Sequence, residues 1–205
     1  MVSEEKQIQD PKEFNEKKYL ENYWIINRSE DKFFSNFVKS HIIKKWVNQV
    51  KNKNVLLDVG GGVANWSYHF LGKFNEVVVV DISEEALKQI PEKTIIKKFG
   101  LATKLPISDN TIDCILLIDV FEHIQVGDLD NMMKELRRVL KKEGTIIIFT
   151  SEFGLSYYII REIIRGNLEG HLIPEEIVNE GHLNRLNFSQ IKTLIKKNNF
   201  IIDDY

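Results

Sequence analysis

Between residues 32 and 50, apolar side chains recur in steps of three and four: Phe33, Phe34, Phe37, Val38, Ile42, Trp46 and Val50. That spacing predicts one face of a helix. The period changes at Asn54. Residues 54–59 form a short apolar run closed by glycines, and a helix-like piece follows over 65–71. Residues 77–80 form a second β-rich run that ends at Asp81. Ser83 can cap a helix whose first turn carries Glu84 and Glu85, with Pro91 after its end. Residues 94–99, 114–118 and 145–150 read as a third, fourth and fifth strand. Between the last two, Leu129, Met132, Met133, Leu136 and Leu140 mark a helix expected to stop at Gly144. Ser189 is expected to open a final helix carrying Ile191, Leu194 and Ile195. Asn198 and Asn199 close it, and a sixth strand is expected over 200–203.

Continuous apolar runs suit strands buried on both faces. Their alternation with amphipathic helices predicts an α/β fold, a doubly wound and mostly parallel sheet ordered 3-2-1-4-5-6. Residues 1–31 read as an N-terminal extension and 32–205 as one domain. Residues 152–188 break the alternation, and 152–182 read as an insertion.

Composition narrows the class. With 43% hydrophobic and 28% charged residues over 205 positions, the chain is an ordinary globular one. A net charge of −2 provides no global basic field, so nucleic acid is not an expected partner. One cysteine, Cys114, excludes an internal disulfide and points to a reducing compartment. The N-terminus has no apolar signal core, and no apolar run approaches the roughly 20 residues that span a bilayer. A cytoplasmic location is the expectation.

The chemistry gathers at Asp58-Val59-Gly60-Gly61-Gly62-Val63-Ala64, where a buried strand gives way to a helix. Glycines there let the backbone approach a ligand closely. Asp81 ends the next strand 21 residues after Gly60, the place of an acid that accepts from a ribose diol. A dinucleotide site favours G-x-G-x-x-G, whereas Gly60, Gly62 and Ala64 make G-x-G-x-A. Asp58 also stands two residues before the first glycine, where it would repel a pyrophosphate and suit an ammonium and a sulfonium. The charge pattern favours S-adenosylmethionine over a nicotinamide cofactor.

On these residues the chain resembles the class I S-adenosylmethionine-dependent methyltransferases of the small-molecule, methyltransferase 11 or UbiE/UbiG-like group. VLLDVGGGVANWS resembles the glycine loop, VVVVDIS the second motif and LPISDNTIDCILLIDVFEHI the fourth-strand segment. LRRVLKKEGTIIIFT and GHLNRLNFSQIKTLIKKNNFII are similar to the later helices and strands, so the resemblance covers about 33–204. It implies that Gly60, Gly61 and Gly62 line the methionyl moiety and that Asp58 reaches the amino group. It implies that Asp81 holds the ribose hydroxyls, that Ile82 packs on the adenine, and that Leu101 and Ala102 lie at the adenine edge. Ile118 and Asp119 would face the donor methyl. Three departures stand out: Leu101 where relatives place an aspartate, Ala64 for a common third glycine, and no seventh strand before Tyr205, so that either the protein continues beyond it or the sheet edge is left open or completed by a partner.

Asp119, Glu122 and His123 follow the fourth strand, at the carboxyl edge where open α/β sheets bind ligands. Asp119 and His123 are candidate catalytic groups, since imidazole suits proton transfer near neutral pH. The structural alternative for Glu122 and His123 is that they only open the next helix. His182, beside the insertion, resembles a position facing the acceptor, and its alternative is a loop histidine. No zinc-type ligand spacing appears among five histidines and one cysteine, so no metal is expected. In the insertion, Leu155, Ile159, Ile160, Ile163 and Ile164 share a helical face. Packing on the sheet, a lid over an apolar acceptor and a peripheral membrane contact are its three readings. The expected function is methyl transfer to a small, apolar or lipid-like acceptor. An inert S-adenosylmethionine-binding or assembly subunit is the alternative, and an open sheet edge would admit a homodimer.

Overall fold

The computed structural model describes residues 30–91, 93–150, 183–184 and 186–202, with the helical backbone alone over 30–38. Five strands form one sheet: β1 (Val55–Val59), β2 (Glu76–Asp81), β3 (Ile95–Phe99), β4 (Ile112–Ile118) and β5 (Leu140–Phe149). Every pairing is parallel and the order is β3-β2-β1-β4-β5, as five of the six expected positions require. The helices are α1 (Glu30–Gln49), α2 (Glu84–Lys88), α3 (Leu129–Val139) and α4 (Phe188–Lys197).

Side chains alternate across the pleat, so each central strand feeds two cores. Leu57, Val59, Val78, Val80, Ile115 and Leu117 meet Met132, Met133 and Leu136 of α3 and Ile191 of α4. Leu56, Val77, Val79, Cys114 and Leu116 meet Ile43 and Val47 of α1 on the other face. That two-sided burial is why these strands read as unbroken apolar runs. Burial also pushes the Cys114 thiol up to about 12, which leaves it a small hydrophobe.

Four local expectations are corrected. On α1 the fully buried positions are Ile43 and Val47, while Ile42 and Trp46 flank them. The expected stripe runs through Ile42 and Trp46, and the sheet instead buries the neighbouring one through Ile43, Val47 and Val50. The piece over 65–71 is a single 3-10 turn, Ser67–Phe70, because Gly72 turns the chain at φ 74°. The α3 helix stops at Val139, not at Gly144. Leu140 pairs with Ile112, and the Lys141 ammonium binds the Asp113 carboxylate at 2.8 Å, so the strand begins five residues before the expected 145. Finally, α4 is capped by Asn187 rather than Ser189. The Asn187 side chain accepts from the Gln190 N–H, and the Gln190 side chain accepts from the Asn187 N–H, a reciprocal capping box.

The expected sixth strand is absent from its described part. Asn199 takes φ 60° and the Phe200 N–H closes the helix end on the Ile195 carbonyl. Ile201 is then 88% exposed, and residues 200–202 pair with no strand. The insertion 152–182 and residue 203 lie outside the described residues.

Asp113 ties the opposite edge of the sheet together. It is buried and accepts both from the Val55 N–H at 2.9 Å and from Lys141. Asp113→Ala leaves a strand N–H and a cation unpaired, and should lower the unfolding free energy by about 2 kcal/mol in urea denaturation.

Candidate functional site

Because β1 and β4 run parallel in register, Val59 opposite Leu117, both release their chains at the same edge. The glycine turn leaves β1 there. The Gly60 N–H donates to the Val80 carbonyl of β2 at 2.7 Å, which pulls the turn over the sheet edge. At φ 69°, a Cβ on Gly60 would lie 2.4 Å from Val120 Cγ2. A side chain is therefore barred twice, by conformation and by the turn after β4. Beneath the turn, a Cβ on Gly61 would lie 2.8 Å from the Asp58 carboxyl carbon and 2.9 Å from Val79. Ala64, at the expected third-glycine position, is buried and holds φ 67°. That position needs the left-handed conformation glycine supplies at no cost, so the substitution carries local strain.

Asp58 is buried on β1 and accepts from the Ser67 hydroxyl at 2.6 Å. Burial is the chief cause that pushes its carboxyl up to about 7, and the nearby Asp81 charge adds to the rise, while the Ser67 hydrogen bond opposes it. Asp81 ends β2, where its Oδ2 accepts from the Gly62 N–H and its Oδ1 from the Ser83 N–H, each at 2.8 Å. Two carboxyls thus bracket the glycine turn, one of them held part-way to neutral. A cation placed between them would favour ionised Asp58. A pyrophosphate would meet repulsion. Space above Gly62 is open, with nothing within 4 Å of a built Cβ.

Beyond the turn, Ile82 is half-buried at the end of β2. The Gly100 N–H donates to the Asp81 carbonyl, and this brings Leu101 and Ala102 to the same edge, both half-buried. Ile118 is buried at the end of β4, and the Asp119 N–H donates to the Phe149 carbonyl of β5 at 2.8 Å.

Residues 57–148 match the family model described as a methyltransferase domain. An uncharacterized protein of Methanocaldococcus jannaschii is 32% identical over 124 residues, 60% of this chain and 51% of its own. The ubiquinone/menaquinone biosynthesis C-methyltransferase UbiE of Escherichia coli is 31% identical over 112 residues, 48% of this chain and 43% of its own. The chain spans about half the length of the curated relatives it matches. Among solved structures, the PH0226 protein of Pyrococcus horikoshii has a TM-score of 0.64 at 23% identity, covering 83% of this chain and 82% of that one. Phosphoethanolamine N-methyltransferase 2 of Haemonchus contortus, solved with S-adenosyl-L-methionine, has a TM-score of 0.62 at 21% identity, covering 80% and 36%. Residues 57–148 are thus similar to a methyltransferase domain, and the sheet has the doubly wound α/β fold of class I methyltransferases.

At this edge of the sheet the three side chains grouped after β4 separate. The Asp119 carboxylate pairs with Lys39 of α1, an interaction that no sequence pattern marked. Glu122 turns inward, is buried, and accepts from the Thr150 hydroxyl at 2.7 Å. Its backbone carbonyl also accepts from the N–H groups of Leu183 and Asn184. Glu122 is thus engaged structurally, but not by opening the next helix as the alternative has it: its partners lie far along the chain. His123 is half-buried in the 3-10 turn Phe121–His123. His182 lies outside the described residues. Among the described residues no cluster of three or more His, Cys, Asp or Glu groups is placed to hold a metal.

The raised Asp58 carboxyl makes ligand-free stability pH-dependent. Its folded value, about 7, lies above the ordinary 3.8. Between those two values the folded state holds a proton that the unfolded state has lost. Stability therefore falls as pH rises through that window, by up to about 1.4 kcal/mol per pH unit, and is flat above it. Asp58→Asn removes the titration. Its melting temperature should gain on the wild type at pH 8 and not at pH 4, as thermal scans at the two values would register.

Proposed function

We propose that the chain binds S-adenosylmethionine across its glycine turn and transfers the methyl group to a small, apolar or lipid-like acceptor. The observation that carries this reading is the pair of acids around that turn, Asp58 below it and Asp81 beside it. When bound, S-adenosylmethionine supplies a methyl on a sulfonium, already electrophilic. The protein then has to hold the reactants in line and keep water out, and proximity alone is worth roughly 7–11 kcal/mol in favourable cases.

In this reading Gly60, Gly61 and Gly62 border the methionyl part. Asp58 gives up its proton as the cationic amino group approaches. Asp81 takes the ribose hydroxyls; a carboxylate has about four acceptor positions, so its two bonds to Gly62 and Ser83 do not bar a diol. Ile82, Leu101 and Ala102 serve the adenine, and Ile118 and Asp119 lie toward the methyl. His123, Asp119 and His182 are the groups proposed to take a proton from the acceptor. The acceptor class is supported by the UbiE relative, whose name places it in ubiquinone/menaquinone biosynthesis. The free edge of β5, unpaired among the described residues, supports a homodimer contact. No helix of the described residues is long and apolar enough to cross a membrane. The proposed lid and peripheral membrane contact, at 152–182, lie outside the described residues.

The test is turnover of methyl-labelled S-adenosylmethionine against a panel of quinol precursors, phenols and phosphoamines. Label in an apolar product supports the reading; donor binding with no transfer to any of them would favour the inert subunit. Asp81→Ala should weaken donor binding by about 1–3 kcal/mol in calorimetry while the fold persists. Unchanged affinity would remove Asp81 from the site.

A further inference from the structure

Lys39 lies one helical turn before Ile43 on α1, so the packing that buries Ile43 carries its side chain to the carboxyl edge of the sheet. Its ammonium pairs with the Asp119 carboxylate. It also lies 4.6 Å from the Phe149 ring centre and 5.8 Å from that of Trp66. Three separate segments supply these partners: Asp119 is the first residue beyond β4, Phe149 ends β5, and Trp66 follows the glycine turn. The Lys39 side chain is only 13% exposed, while that of Asp119 is 44% exposed. One carboxylate and two ring faces around a nearly enclosed cation make a setting that recognises an organic cation. Here a side chain of the protein fills it.

The position gives this pair a role. Val120, next to Asp119, is the residue against which Gly60 closes, so the pair borders the glycine turn. The donor carries a sulfonium, whereas S-adenosylhomocysteine, left after transfer, is neutral at sulfur and otherwise has the same charged groups. A fixed charge on this side therefore acts on one ligand and hardly on the other. Asp119 attracts the sulfonium. Lys39 repels it and already occupies Asp119.

We propose that Lys39 determines how strongly the protein prefers the sulfonium donor over its neutral product, by competing with the sulfonium for Asp119. The inference rests on the donor reading above. Lys39 thus acts through Asp119 as a positioning and charge-setting residue, and it moderates the grip on the donor.

The experiment is calorimetry of the full chain with S-adenosylmethionine and with S-adenosylhomocysteine, read as the ratio of the two affinities. Lys39→Met should raise the donor-to-product ratio by about three- to tenfold, the effect of one unit charge at a partly wetted site. Asp119→Asn should lower the ratio, and Lys39→Arg should stay within about twofold of the wild type, since it keeps the cation. The ratio is taken within one preparation, so a partly unfolded sample weakens both titrations alike. If Lys39→Met does not fold, Lys39→Gln is read in its place. Two bound ligands with an unchanged ratio in the uncharged variant would overturn this inference and leave the donor reading standing. A wild type that binds neither ligand would overturn the donor reading and this inference with it.

Discussion

Everything at the candidate site depends on one close approach, the backbone of Gly60 against the side chain of Val120. Parallel pairing of β1 with β4 delivers two chain segments to one edge, but it leaves their separation open. The missing side chain at Gly60 lets them meet. From that contact follow the place of Asp119 beside the turn, the reach of Lys39 to it, and the enclosure of Asp58 beneath Gly61. The two-faced core behind the edge keeps these segments from drifting, since β1, β2 and β4 are held from both sides.

The sequence made the sheet legible because the strongest signals are the simplest ones. The runs at 54–59, 77–80 and 114–118 had to be buried on both faces, and parallel order followed from the helices between them. Elements whose limits depend on distant partners were harder to read. The end of α3 is decided by Lys141 and Asp113, 28 residues apart, and the apolar stripe simply runs on through Leu140. The buried face of α1 was ambiguous because Ile42–Ile43 and Trp46–Val47 offer two neighbouring stripes. The region beyond Asn199 was misread because an apolar trio resembles a strand, although pairing requires a neighbour within reach.

The candidate site divides in the same way. Asp58, the glycines and Asp81 were visible as a local pattern with a known spacing. The partner of Asp58, Ser67, was not, because its hydroxyl comes from the far side of the turn. Lys39 carried no signal at all: it is one of many lysines, and only the packing of α1 places it at Asp119. Glu122 was noticed for its carboxylate, yet that group faces inward to Thr150.

Glu122 has a consequence for how such a protein can change over time. Its side chain holds Thr150 and its carbonyl holds Leu183 and Asn184, while the Asn184 amide grips the carbonyls of Phe121 and Ile124. The chain between 150 and 183 thus departs from and returns to a single residue. Once two points of a chain are anchored together, the entropic cost of closing the stretch between them grows only with the logarithm of its length, about 0.6 kcal/mol per doubling. Descendants could therefore change the length of that stretch at small entropic cost.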